Sequence, residues 1–323
     1  MDKVKWGIIG CGDVTEVKSG PAFYKIENSE LVAVMRRNAA LAQDYAKRHN
    51  VPEWYSDADS LINDPEVNAI YIATPPSSHK EYTLAAAEAG KPVYVEKPMA
   101  LNTGECKTMV EKCKEKNVPL FTAFYRRALP RFVKIKSLLD EGAIGEVRFV
   151  NVLFHQKPFE HDLKGKNDWH VDPAVAGGGY FYDLAPHAID ILQFFLGDIS
   201  SAKGYTSNQS KLYSAEDIVS AVCFIEPGIH ISMIWNFNSY DDLDRVEIVG
   251  SEGKITFSTF RNNPVELITK GAGEKYIIEH PQHIQQPLIQ TIVDELLGKG
   301  KCVSTGESGL KTNYVMDMIF GRI

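Results

Sequence analysis

Val4-Lys5-Trp6-Gly7-Ile8-Ile9 runs without a break into Gly10-Cys11-Gly12-Asp13-Val14-Thr15. An apolar run of this length reads as a buried strand, and the G-x-G-x-x-T after it reads as a tight turn that opens a helix. Gly10 would permit the turn. Gly12 would let backbone N–H groups approach a pyrophosphate with no side chain in the way, at the positive end of a helix dipole. Gly10, Cys11, Gly12, Asp13 and Val14 are therefore candidate phosphate contacts. Thr15 stands where Gly or Ala usually closes such a turn, which sets helix and strand slightly further apart. A glycine pair alone also fits a plain strand-to-helix turn, so its surroundings decide.

Those surroundings repeat the pattern. Compact apolar runs at 31–35, 69–73, 92–95 and 119–123 alternate with stretches of helical apolar spacing at 41–49, 82–89 and 104–116. Strands alternating with helices predict βαβ units around a doubly wound parallel sheet. After residue 122 the rhythm changes. Helices are expected at 131–141 and 181–195, strands at 147–156, 218–225, 229–237, 244–249, 254–257, 265–269 and 275–279, and closing helices at 283–297 and 307–320. Glu226-Pro227-Gly228 and Ser251-Glu252-Gly253 are short turns, which force antiparallel neighbours. The expected organisation is an α/β chain: a dinucleotide-binding domain over 1–122 and an α+β domain with a mostly antiparallel open sheet over 123–323.

Composition narrows the function. The 323 residues are 44% hydrophobic and 24% charged, as in an ordinary soluble protein. Lys and Arg number 35 against 42 Asp and Glu, a net charge of −7, which opposes nucleic-acid binding through a general basic surface. No apolar run approaches the roughly 18 residues a membrane span needs. The first residues read as a strand, not a signal peptide. Cys11, Cys106, Cys113, Cys223 and Cys302 form an odd set without metal-ligand spacing, which fits reduced thiols in a cytoplasm. No catalytic metal is expected.

The end of the second strand selects the nucleotide. An acidic residue there accepts hydrogen bonds from ribose hydroxyls in an NAD-type site. Here Leu31-Val32-Ala33-Val34-Met35 ends in Arg36-Arg37-Asn38. Guanidinium groups hold a 2′-phosphate that a carboxylate would repel. The expectation is NADP(H), with NAD(H) as the alternative and two solvated arginines as the bland reading.

Three further segments belong together: Ala73-Thr74-Pro75-Pro76-Ser77-Ser78-His79, Glu96-Lys97-Pro98, and Gly177-Gly178-Gly179-Tyr180-Phe181-Tyr182-Asp183-Leu184-Ala185-Pro186-His187. In this order and at these distances they resemble the glucose-fructose oxidoreductase/inositol dehydrogenase family, Gfo/Idh/MocA, over nearly the whole chain. The resemblance implies a Rossmann domain followed by an antiparallel-sheet domain. It also implies hydride transfer between a nicotinamide cofactor and a hydroxyl or carbonyl carbon, usually on a sugar or cyclitol. Homodimers or homotetramers through the open face of the second sheet are implied as well. Tyr125, before the matching Arg127 at the cofactor, stands where Asn or His is frequent. His170 follows Trp169 where Arg is frequent, and Ala185-Pro186 fills a stretch that often holds Gly.

Oxidising an alcohol requires removing its proton, and reducing a ketone requires supplying one; an imidazole does either near neutrality. Asp183 and His187, four apart, share one helix face. His187 is the expected acid/base, and Asp183 orients it or binds an adjacent hydroxyl. Lys97, after the fourth strand, would hold the reacting oxygen and stabilise developing negative charge. Pro98 would direct the backbone, through a cis bond as in the family. Glu96 holds the nicotinamide ribose or Lys97 itself. Thr74 and Pro75 line the cofactor, and His79 is as readily structural as functional. Trp169, Tyr125, Tyr180 and Phe159 are candidates for the wall of a carbohydrate site, although core packing or a loop anchor is the first reading for each taken separately. A non-catalytic dinucleotide-sensing regulator is the competing class, and retention of Lys97, Asp183 and His187 speaks against it.

Overall fold

The computed structural model describes residues 2–166 and 168–323. They divide into two compact units. One comprises the residues up to Ala128 together with Pro281–Leu310, the other Leu129–His280 with Lys311–Ile323. The sequence pattern had placed its cut at 122/123 and had left 281–310 with the second half. Chain order hid that return.

The first unit is built on β1 Val4–Ile9, β2 Ser29–Met35, β3 Glu53–Tyr55, β4 Ala69–Ile72, β5 Val93–Val95 and β6 Leu120–Thr122. All pair in parallel, in the order β3-β2-β1-β4-β5-β6. β1 and β4 are buried along nearly their whole length, because helices cover both faces of such a sheet. The order reverses between β1 and β4, and the crevice at the carboxyl ends of strands at such a point is where ligands bind. β3 escaped sequence reading because it is a three-residue edge strand with two exposed residues and no apolar alternation.

Side-chain caps place the helices. Asn38 accepts from Leu41 N at 3.2 Å to start Ala39–His49, and Asn50 ends that helix at φ 54°. Asn102 accepts from Glu105 N at 3.0 Å to start Thr103–Glu115. Each such cap contributes about 1 kcal/mol. The stretch after the glycine turn is two short helices, Asp13–Val17 and Gly20–Lys25, broken at Lys18-Ser19.

The second unit carries β7 Val147–His155, β8 Ile199–Ser207, β9 Ile218–Ile225, β10 Ile229–Asn236, β11 Leu243–Gly250, β12 Gly253–Phe257, β13 Val265–Thr269 and β14 Ala272–Tyr276. Their order is β14-β13-β12-β11-β7-β10-β9-β8. Every neighbouring pair is antiparallel except β7 with β10. β8 had no sequence signature because its residues are mostly polar and exposed; only pairing with β9 defines it. β14 lies three residues earlier than the pattern suggested, because Lys270-Gly271 makes the hairpin turn with Gly271 at φ 97°.

One face of this sheet is core: Val150, Val152, Ile231, Met233, Trp235, Val219 and Cys223 are buried. The alternate positions face outward, and on β7, β9 and β10 four of them are apolar and exposed: Phe149, Leu153, Val222 and Ile234. Leu153 pairs directly with Ile234.

Candidate active site

The glycine turn lies at the carboxyl end of β1. Gly10 N and Cys11 N both donate to the Met35 carbonyl at the end of β2, at 2.9 and 3.1 Å. Gly10 has φ +93°, and a Cβ there would sit 2.7 Å from Thr74 Cγ2 and 3.0 Å from the Ala73 carbonyl. No other residue fits that conformation and that space. Gly12 differs: a Cβ on it would meet nothing closer than the Gly10 carbonyl oxygen at 3.9 Å. The strip beside Gly12 is open, as a pyrophosphate lying along the turn requires. Asp13 is exposed and Val14 half-buried, whereas burial pushes the Cys11 thiol up to about 11. Thr15 is buried and turned inward, its Oγ1 donating to the Gly12 carbonyl at 2.7 Å.

Arg36 is half-buried at the end of β2, and its Nη1 lies 3.5 Å from the Cys11 carbonyl oxygen. Its guanidinium therefore borders the glycine turn. Arg37 is exposed. Thr74 and Pro75 follow β4 on the same sheet edge, with Ser78 Oγ donating to Thr74 Oγ1 at 2.7 Å.

Lys97 follows β5 on that edge, half-buried, and its bond to Pro98 is cis. Its neighbours on both sides are anchored. Glu96 is 7% exposed. Its Oε1 accepts from Tyr71 Oη and from Gln285 Nε2, both at 2.6 Å, and its Oε2 accepts from Lys97 N at 3.1 Å. Tyr94 Oη donates to Gln285 Oε1 at 2.6 Å. Burial pushes the Tyr71 and Tyr94 hydroxyls well above the usual phenol range, so both stay protonated as donors. On the far side of Lys97, the fully buried His79 has Nδ1 3.1 Å from the Pro98 carbonyl oxygen and Nε2 2.7 Å from the Thr74 carbonyl oxygen. His79 thus packs between the loop after β4 and the loop after β5, one ring nitrogen facing a carbonyl of each. Burial lowers its pKa against the pull of those carbonyls. Tyr125 is buried under the Arg126 guanidinium, and Arg127 Nη1 donates to the Val303 carbonyl at 3.1 Å.

In the second unit, Asp183 and His187 stand one turn apart on the helix Tyr180–Leu196. Asp183 is half-buried and His187 is 4% exposed, with the Phe260 ring 6.0 Å away, edge to face. Pro186 lies inside the helix and cannot donate the usual bond to the carbonyl four residues back. The glycine run before the helix allows close backbone approach. A Cβ on Gly179 would lie 2.7 Å from the Glu216 carbonyl oxygen, and Gly179 N donates to Glu216 Oε1 at 2.8 Å. Phe260 is presented by a loop whose backbone N–H groups at Thr259, Phe260 and Arg261 all donate to the buried Asp244 carboxylate.

Tyr180 is buried, and its hydroxyl donates to Asp162 Oδ2 at 2.8 Å while His161 Nε2 lies 3.1 Å away. Its ring is core, with Phe159 against it edge-on. Trp169 is 40% exposed and stacks on His170. With Asp168, Val171, Asp172, Tyr213 and Ser214 it lines a hollow of about 580 Å³, an aromatic face beside carboxylates.

Within the first unit the fold brings the glycine turn, Arg36, Thr74, His79, Glu96 and Lys97 to one sheet edge. Within the second it brings Asp183 and His187 to one helix face, and Trp169 to the wall of a hollow. Sequence reading missed Tyr71, Tyr94, Gln285, Phe260 and Asp244. All lie inside ordinary strands, helix starts or loops, and only contacts over long sequence separations distinguish them.

A parallel 3-2-1-4-5-6 sheet with this turn, joined in one chain to a largely antiparallel sheet, defines a two-domain dinucleotide-dependent oxidoreductase. The chain belongs to the Gfo/Idh/MocA oxidoreductases. Residues 4–124 match the model of that oxidoreductase family with its NAD-binding Rossmann fold, and residues 132–256 match the model of its C-terminal domain. An oxidoreductase, P35, of Formosa agariphila is 42% identical over 320 residues, covering 99% of both chains. The scyllo-inositol 2-dehydrogenase (NAD(+)) of Bacillus subtilis is 27% identical, covering 96% of this chain and 89% of that one. The structure of a levoglucosan dehydrogenase in complex with NADH and levoglucosan superposes with a TM-score of 0.87 at 23% identity, over 99% of this chain and 96% of the other. Among the described residues no helix is long and apolar enough to cross a membrane.

Proposed function

We propose that this oxidoreductase transfers a hydride between NADP(H) and a hydroxyl or carbonyl carbon of a sugar or cyclitol. The observation that carries the reading is the setting of Lys97: half-buried at the carboxyl edge of the parallel sheet, between two anchored neighbours. A nicotinamide dinucleotide bound along the Gly10–Val14 turn supplies or accepts the hydride. Lys97 donates a hydrogen bond to the reacting oxygen and offsets its negative charge. His187 takes the hydroxyl proton in oxidation and returns one in reduction, oriented by Asp183. Arg36, with Arg37 beside it, holds the 2′-phosphate. Thr74 and Pro75 line the dinucleotide, and His79 and Glu96 hold the loops that border it. Trp169 offers an apolar face to a pyranose or cyclitol ring, whereas Tyr180 supports the site from the core.

The outward apolar positions Phe149, Leu153, Val222 and Ile234 support a homo-oligomer formed through the second sheet, since such a face would otherwise carry polar residues. Five buried cysteine thiols suit a reducing cytoplasm.

The test is an NADPH-oxidation screen over oxo-sugars, anhydro-sugars and inosose ketones, paired with an NADP⁺-reduction screen over levoglucosan, scyllo-inositol and related alcohols. Turnover that falls at least about 100-fold in both Lys97→Ala and His187→Ala is expected. Full turnover in both variants would defeat the mechanism. Dinucleotide binding without turnover of any member of the screen would favour the sensing regulator.

A further inference from the structure

We propose that Gln285 is a positioning residue for Lys97, acting through the Glu96 carboxylate. The inference rests on the assignment of Lys97 to the reacting oxygen and adds a residue 188 positions away in sequence to that function.

Gln285 is 1% exposed at the start of the helix Gln286–Leu296. Its amide has a single chemically consistent orientation. A carboxylate has no proton to give, so the nitrogen faces Glu96 and the oxygen receives the Tyr94 hydroxyl. Glu96 Oε1 then takes two donors, Tyr71 Oη and Gln285 Nε2, while Oε2 takes the Lys97 backbone N–H. Charge-assisted bonds of this kind are among the strongest available to a buried side chain. They hold the carboxylate in one rotamer, and the carboxylate holds the peptide on which Lys97 hangs.

Gln285 is itself fixed. Its backbone N donates to the Lys18 carbonyl at 3.1 Å, and two residues earlier His283 Nδ1 lies 2.7 Å from the Val17 carbonyl oxygen. Tyr71 Oη is also 3.1 Å from Ser19 Oγ. A continuous buried chain therefore runs from the segment after the glycine turn, through Tyr71, Glu96 and Gln285, to the amide of Lys97. Beyond Lys97, His79 anchors the Pro98 and Met99 carbonyls. The backbone of Lys97 is thus held on both sides. Removing Gln285 takes one of two donors from Oε1 and leaves the Tyr94 hydroxyl without its acceptor.

The test uses the full-length protein and two near-isosteric variants, Gln285→Met and Tyr71→Phe. Each lysine is acetylated with acetic anhydride at pH 8 and its rate is read by peptide mass spectrometry; NADPH binding is followed by fluorescence. The Lys97 rate is expected to change by at least about threefold, equivalent to roughly half a pH unit in its pKa, with the other lysines unchanged. On the substrate returned by the screen, kcat is expected to fall about tenfold with the cofactor KM within about twofold, the mark of lost positioning and not of lost binding. A Lys97 rate superimposable on wild type in Gln285→Met overturns the proposal, as does an equal change across all lysines, which marks general loosening. If Gln285→Met does not fold, Gln285→Asn, which withdraws the amide from Glu96 by one methylene, decides. Full turnover in Lys97→Ala defeats the functional reading instead, so the two failures are told apart.

Discussion

Replacing Arg36 with alanine is expected to weaken NADPH binding about 10- to 150-fold while leaving NADH within about threefold. Arg36 is the first residue after β2; its backbone N donates to the Tyr55 carbonyl at 3.2 Å, and its Nη1 reaches 3.5 Å from the Cys11 carbonyl oxygen. The guanidinium therefore occupies the place where an acidic side chain would bind ribose hydroxyls. It is half-buried, so a bond from it to a phosphate is partly shielded from water. A hydrogen bond to a charged group contributes roughly 1.5–3 kcal/mol, and each 1.4 kcal/mol is about a factor of ten. Arg37 is exposed, where an ion pair contributes about 0.2–1 kcal/mol, so Arg37→Ala is expected to cost at most about fivefold. The assay is fluorescence titration of NADPH and NADH into the wild type and both variants at fixed ionic strength. Wild-type protein that binds NADH much more tightly than NADPH, with an unchanged NADPH affinity in Arg36→Ala, would refute the reasoning.

Gly10→Ala forces a side chain into φ +93° and against Thr74. It is expected to cost about 2–3 kcal/mol, lowering Tm by roughly 5–10 °C in a calorimetric scan. Gly12→Ala meets only open space; Tm should hold within about 2 °C while NADH affinity falls, which separates the cradle from the fold. His79 carries a folded-state pKa below its ordinary value of 6.5 because of burial, so the unfolded chain binds more protons below that pH. Its contribution is present above about pH 6.5 and is lost as pH falls toward the folded pKa, by at most about 1.4 kcal/mol per pH unit. Urea melts at pH 7.5 and 5.5 should show this loss, and His79→Gln should flatten it. Leu153→Glu with Ile234→Glu places charge on paired outward positions of β7 and β10 and should convert an oligomer to monomers by light scattering.

Much of the first unit was legible. The glycine turn, five of the six strands and the three longest helices of the first 128 residues announce themselves because each carries its own apolar period or turn chemistry. The spacing of Asp183 and His187 implies one helix face, and the folded chain sets them one turn apart on the helix Tyr180–Leu196. What was not legible has a common cause. β3 and β8 lack an apolar pattern and exist through pairing. Glu96 could be read as a ribose ligand or as a support for Lys97, and its inward hydrogen bonds support the second role. Tyr180 looked suited to a sugar wall, but its hydroxyl is engaged by Asp162. Gln285, in an unremarkable polar stretch, has no local signature at all.

Local information in the chain thus determined most of the strands and helices, where the backbone must be glycine, and which side chains are able to exchange a proton or offset a negative charge. Only the folded structure decided which polar groups face one another. A hydrogen bond depends on distances of about 3 Å, and those between residue 285 and residues 94 and 96 arise when a late segment docks on the first sheet. No periodicity in the intervening residues encodes that docking; it follows from burying apolar surface across the whole unit, which brings the partners together as a consequence.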